Sequence, residues 1–171
     1  MEKKITTPVI AGLIISLILI AESVITYFTG SYLQDWAKYV GFGILVIGII
    51  WSVINNAKEK SNNVTYGQLF GFGFKVAGVI TCITILYMLL SGVIFPDMKV
   101  KIMEAARQQA LSKPGVDADQ VEKGMEMFEN HYTMFLVIGV VFWYLIIGVV
   151  VSLIAAAIPK KNPQSPFENQ I

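Results

Sequence analysis

The chain has 171 residues, 55% of them hydrophobic and 15% charged, with a formal net charge of +1. A soluble domain carries about 25% charged residues, because its surface must be wetted. Together with a mean hydropathy of +0.64, that deficit excludes a soluble globular domain.

Four apolar runs account for the excess, and their spans are expected at about 5–28, 35–54, 67–95 and 133–158. A helix needs about 20 mostly apolar residues to cross roughly 30 Å of hydrocarbon. In lipid the backbone polar groups must be satisfied within each segment, so the runs are expected to be helices. The predicted fold is an all-α, four-span membrane protein, one membrane domain lying in the lipid bilayer.

The first run follows the basic start Met1-Glu2-Lys3-Lys4 and resembles a signal peptide. It continues to Phe28, past the 7–15 residues of a signal core, and Ala21-Glu22-Ser23 is a poor cleavage site. It is read as an uncleaved first span, with Gly12 and Ser16 four apart on a packing face. Glu22 lies in this span about six residues from its outer end, roughly 9 Å below the interface at about 1.5 Å per residue. An intramembrane carboxylate is expensive and is by default a functional candidate. Glu22 can relay protons, bind a cation or hydrogen-bond across helices. The plain alternative is a carboxyl bonded to a neighbouring hydroxyl or tyrosine near the outer end.

A short polar turn at 29–35 leads to the second span, which carries Gly41, Gly48 and Ser52. The polar segment 55–66, with Lys58 and Lys60, is expected to be a loop. The third span carries Gly67, Gly71 and Gly78, then Cys82, the only cysteine, read as a small buried residue. Small residues four apart let helix backbones approach closely, and dispersion contacts then hold the pair where lipid offers no hydrophobic gradient. Lys75 interrupts this span. The glycines before it do not make a phosphate loop, because Phe74 separates Gly73 from Lys75 and no Ser or Thr follows. Lys75 is read as an interfacial anchor about 12 Å from the inner edge, too far from Glu22 to pair with it.

Residues 96–132 form an insert with two helical patterns, broken at Pro114-Gly115 and capped at Asp117 or Asp119. Its second stripe is Val121, Met125, Phe128 and Tyr132. The insert is predicted to be an extracytoplasmic helical hairpin, packed on itself or docking a partner. Five basic against seven acidic residues give it a net charge of −2, which argues against nucleic acid and anionic lipid surfaces. The fourth span carries Gly148, Ser152 and Ala156, and the Pro- and Lys-containing tail 159–171 is expected to be disordered.

With four spans both termini lie on one side. Lys3, Lys4, Lys58, Lys60, Lys160 and Lys161 fall there, against Lys38, Lys99, Lys101, Arg107, Lys113 and Lys123 on the other. The totals tie, but the first set is denser and Lys75 joins it, so both termini are placed in the cytoplasm. His131 is the only histidine and makes no metal cluster. No nucleophile–base arrangement, zinc spacing or paired intramembrane carboxylate is present, so no enzyme activity, catalytic residue, cofactor or metal is expected.

The passages MEKKITTPVIAGLIISLILI, VTYGQLFGFGFKVAGVIT, FPD and VDADQVEKGMEMFEN resemble the domain-of-unknown-function 4199 family. The resemblance covers nearly the whole chain. It implies a small bacterial four-span inner-membrane protein with an outward helical insert, and it implies no activity. Three functions stand: a non-enzymatic accessory or scaffold subunit of a membrane or envelope assembly, a small homo-oligomeric transporter or channel using Glu22, and a membrane enzyme acting on lipid. The first is preferred. Its partners would be a second copy or another membrane protein, met through the small-residue seams or the 96–132 hairpin.

Overall fold

The computed structural model describes residues 6–115 and 117–160. From residue 161 on, the tail expected to be disordered lies outside the described residues. Among the described residues all regular structure is helical: α1 (Pro8–Phe28), a 3-10 turn (Ser31–Leu33), α2 (Asp35–Glu59), α3 (Tyr66–Ile94), α4 (Pro96–Leu111), α5 (Ala118–Asn130) and α6 (Tyr132–Ala157). α1, α2, α3 and α6 are long and apolar enough to cross a membrane. The exposed flanks of these helices are themselves large apolar side chains, such as Leu17, Ile47, Leu86, Trp143 and Ile154. Lipid, not water, suits such a surface.

Local chemistry sets the helix ends. Thr7 caps α1, its hydroxyl accepting from the Ile10 amide, and Pro8 follows where a missing N–H costs nothing. Thr65 caps α3 in a capping box: its hydroxyl accepts from the Gln68 amide while Gln68 accepts from the Thr65 amide. α2 runs five residues beyond the expected end of its span, because tertiary contacts hold the last turn and a half. Asn56 and Ala57 are buried. Glu59 accepts from the Thr6 amide at 2.6 Å, the Thr6 hydroxyl at 2.6 Å and Asn55 Nδ2 at 2.7 Å. The loop expected at 55–66 shrinks to a turn in which Ser61 and Asn62 adopt positive φ of 53° and 61°.

α1 and α3 run in one direction, α2 and α6 in the other. The broadest contact is α3 on α6, followed by α1 on α3, with α2 touching all three. The buried core lies in the half nearest the termini, formed by Ile15, Leu45, Ile49, Leu69, Val76, Ile80 and Ala155 among others. Its seam is made of small residues. A Cβ on Gly148 would stand 2.5 Å from Ala77 Cβ, and one on Gly73 would stand 2.6 Å from Ser152 Oγ and 2.9 Å from Val53 Cγ2. Gly73 and Ala77 of α3 therefore interlock with Gly148 and Ser152 of α6. The Ser152 hydroxyl is buried without a hydrogen-bond partner among the described residues. The Gly73 Cα–H points at it, a weak contact common between closely packed helices. Gly12 and Gly48 make the other close approaches, to Val79 and to Ile15, each at under 3 Å for an added Cβ. Ser16 and Ser52 are buried and return their hydroxyls to Gly12 O and Ile49 O, both at 2.8 Å.

The small-residue row expected on the third span is not the row that packs. A Cβ on Gly67, Gly71 or Gly78 would meet nothing within 4 Å, and Cys82, expected to be buried, is exposed. These residues share a face with Lys75, which is also exposed, and that face turns away from the bundle. The packing face is Leu69, Phe72, Gly73, Val76, Ala77 and Ile80.

α4 and α5 form a hairpin between α3 and α6, joined by an Arg107–Glu122 ion pair and by no buried residue. Asp97 ties the start of α4 to its surroundings, accepting from the Tyr27 hydroxyl at 2.9 Å and from Lys101 Nζ at 3.1 Å. These bonds, the one from Tyr27 foremost, hold its carboxyl below the usual range. Asp117 caps α5, accepting from the Asp119 amide at 3.0 Å. The expected stripe of the second insert helix is split, since α5 ends at Asn130 and Tyr132 opens α6.

Candidate intramembrane polar centre

Toward the hairpin end the four spans loosen, and polar side chains replace the apolar core. Glu22 of α1 turns into the bundle. Its Oε2 lies 3.7 Å from where a Cβ on Gly41 of α2 would stand, so the carboxylate packs against the Gly41 face of α2. Tyr144 of α6 comes from the far side, close enough for its hydroxyl to interact with Thr84 of α3 and, through space, with Glu22. One residue on, the Ser23 hydroxyl accepts from Tyr87 of α3 at 3.2 Å. Thr26 fixes this part of α1, bonding back to Glu22 O and Ser23 O at 3.0 Å each. All four spans thus contribute to one centre.

The Glu22 carboxyl makes no hydrogen bond or ion pair with any described residue. A carboxylate at this depth without a protein partner must be met by a proton, a cation or water, because its desolvation is otherwise uncompensated. Of the hydroxyls on this part of the bundle, Tyr87 donates to Ser23 and Thr26 to backbone carbonyls. Among the described residues, no three of His, Cys, Asp and Glu come together as metal ligands.

Lys75 stands elsewhere. Gly12 is level with Val76 and Val79, and α1 and α3 run in the same direction. Lys75 is therefore level with the first turn of α1. About two turns of α3, Tyr66 to Gly73, project beyond Pro8. The depth of about 12 Å counted along α3 thus overstates how far Lys75 lies inside the hydrocarbon, and its side chain reaches the terminal interface easily. His131 sits exposed at the junction of α5 and α6, its Nδ1 3.2 Å from Met127 O.

Two features escaped the sequence. The surroundings of Glu22 come from three other helices, and no spacing along the chain encodes their meeting. The capping box at Thr65 did leave a signal, Thr-x-x-Gln before an apolar run.

A family model described as protein of unknown function (DUF4199) matches residues 10–161. No curated protein and no solved structure matches the chain.

Proposed function

This chain belongs to the family of unknown function DUF4199, and from that premise we propose that it is a non-enzymatic accessory or scaffold subunit of a membrane assembly. The observation that carries this reading is the outward face of α3. Gly67, Gly71 and Gly78 offer a close-approach surface that no helix among the described residues uses. A row of small residues admits another backbone closely, and an unoccupied one running from Gly78 to the terminal edge of the membrane suits a subunit that meets a second helix from outside. The membrane is read as a bacterial inner membrane. Lys58, Lys60 and Lys160 cluster with Lys75 at the end bearing both termini, which supports a cytoplasmic placement for that end and an outer placement for the α4–α5 hairpin.

The test is crosslinking in intact membranes with the chain and its Gly71→Leu variant. A Cβ at Gly71 meets nothing within 4 Å, on a face turned away from the bundle, so a leucine there should leave the fold unchanged. Specific crosslinked partners of the unaltered chain are expected to disappear in Gly71→Leu. Identical crosslinks in both, or a chain that runs alone as a monomer in both, would sink the reading.

A second reading is favoured by one observation, the inward turn of an unpartnered Glu22. A homo-oligomeric proton or cation conductor would use that carboxylate as its coupling site. In liposomes holding the purified chain, Glu22→Gln is then expected to abolish proton or monovalent-cation flux. Flux that survives the substitution removes Glu22 from this role.

A further inference from the structure

At the hairpin end α3, α4 and α6 leave a groove between them. It has two lobes, of about 260 and 340 Å3, that share Met88, Gly92, Lys99, Tyr132 and Leu136. The first falls just short of, and the second just within, the range of about 300–1,000 Å3 typical of ligand sites. The first lobe has mostly apolar walls, with Ser23, Thr84 and Tyr87 among its lining residues. The other runs past Leu89 and Val93. Both of these side chains are exposed on the flank of α3, so this lobe opens sideways toward the bilayer.

Lys99 stands at the mouth of both lobes, in the first turn of α4 and hence at the membrane surface. Its ammonium lies 5.4 Å from the centre of the Tyr132 ring, within cation–π range. It has no carboxylate within ion-pair distance among the described residues. The other basic residues of α4 are engaged, Lys101 with Asp97 and Arg107 with Glu122. Lys99 also borders the cavity between α4 and α5, lined by Glu104, Glu122, Glu126 and Glu129, none of them within ion-pair distance of its ammonium. The Tyr132 ring that the ammonium faces lines both lobes, so the ammonium is presented to them.

An oriented, unpaired cation above an apolar slot that is open to lipid matches a molecule with one anionic head and a hydrocarbon chain. We propose that this groove binds an anionic phospholipid of the bilayer, its phosphate on Lys99 and an acyl chain between α3 and α6. The expected −2 charge of the hairpin does not oppose this, because the contact is with one locally free ammonium and not with a basic surface. The proposal is independent of the scaffold reading and of any role for Glu22.

Native mass spectrometry of the chain in mild detergent, titrated with phosphatidylglycerol or phosphatidylcholine, tests it. The unaltered chain is expected to retain phosphatidylglycerol in preference. Lys99→Gln should weaken that binding about fivefold, the worth of one cation near a lipid phosphate, and leave phosphatidylcholine unchanged. Lys113→Gln, in the exposed turn after α4, should change neither. Gly92→Leu, which fills the slot, should weaken both lipids. Equal retention of the two lipids by the unaltered chain overturns the proposal. So does a preference that survives Lys99→Gln, an equal loss in Lys113→Gln, lipid binding untouched by Gly92→Leu, or a lipid-free dimer.

Discussion

Gly148→Ala is expected to destabilise the bundle by about 1–3 kcal/mol, the usual cost of forcing extra volume into a packed core. A single methyl suffices because Ala77 Cβ already stands 2.5 Å from the position it would take. Both residues are buried on the broadest helix contact in the molecule, where neither backbone can retreat without opening the Gly73–Ser152 contact one turn away. Ala77→Gly alone should cost about 1 kcal/mol through helix propensity and lost packing. The pair Gly148→Ala with Ala77→Gly only exchanges the methyl between the helices, so it should recover most of the stability. Detergent unfolding curves for the four proteins form a double-mutant cycle, and a strongly favourable coupling is expected. If the two losses add, the methyl contact is not what limits the approach of α3 and α6.

The same comparison shows what the sequence could and could not specify. The existence, order and approximate limits of the four spans follow from apolar length alone, since lipid allows few backbone solutions. The small residues of α1, α2 and α6 stand where close approaches occur. On α3 the choice of face went to Gly67, Gly71 and Gly78, while the structure uses Gly73 and Ala77. The decisive signal was present. Gly71, Lys75 and Gly78 lie on one helical face, and a lysine that must reach the interface does not share a face with an apolar core. Leu69, Phe72, Val76 and Ile80 mark the opposite, buried side at helical spacing. Glu22 was legible as a lone carboxylate in an apolar run. Its surroundings were not, because Gly41, Thr84, Tyr87 and Tyr144 are brought together only by the packing of separate helices.

The two ends of the bundle differ in how they are held. The terminal half is closed by interlocked small residues and by buried apolar side chains. The hairpin half holds polar groups around Glu22 and a groove beneath Lys99, and the hairpin buries nothing. A tight end that fixes the helices leaves the looser end free to carry a carboxylate and a lipid-accessible slot. The Glu22 centre and the lipid-accessible slot therefore both draw on the half of the molecule that contributes least to its stability.

The tight end also depends on one carboxylate. Glu59→Ala is expected to cost about 2–3 kcal/mol, as for a charged acceptor whose donors lose their partner. Glu59 gathers the Thr6 amide, the Thr6 hydroxyl and Asn55 Nδ2, and so joins the residue before the cap of α1 to the end of α2. Without it the last turn of α2 should fray, and the amides from Asn56 to Lys60 should exchange with solvent faster while those of α3 and α6 stay protected. Glu59→Gln keeps one acceptor oxygen and should recover part of the loss. Thr6→Val removes the hydroxyl donor but leaves the amide, so it should cost less than Glu59→Ala and add little to it. Full additivity of Thr6→Val and Glu59→Ala in detergent unfolding would show that the two residues act separately, and that α2 owes its added turns to the burial of Asn56 and Ala57 alone.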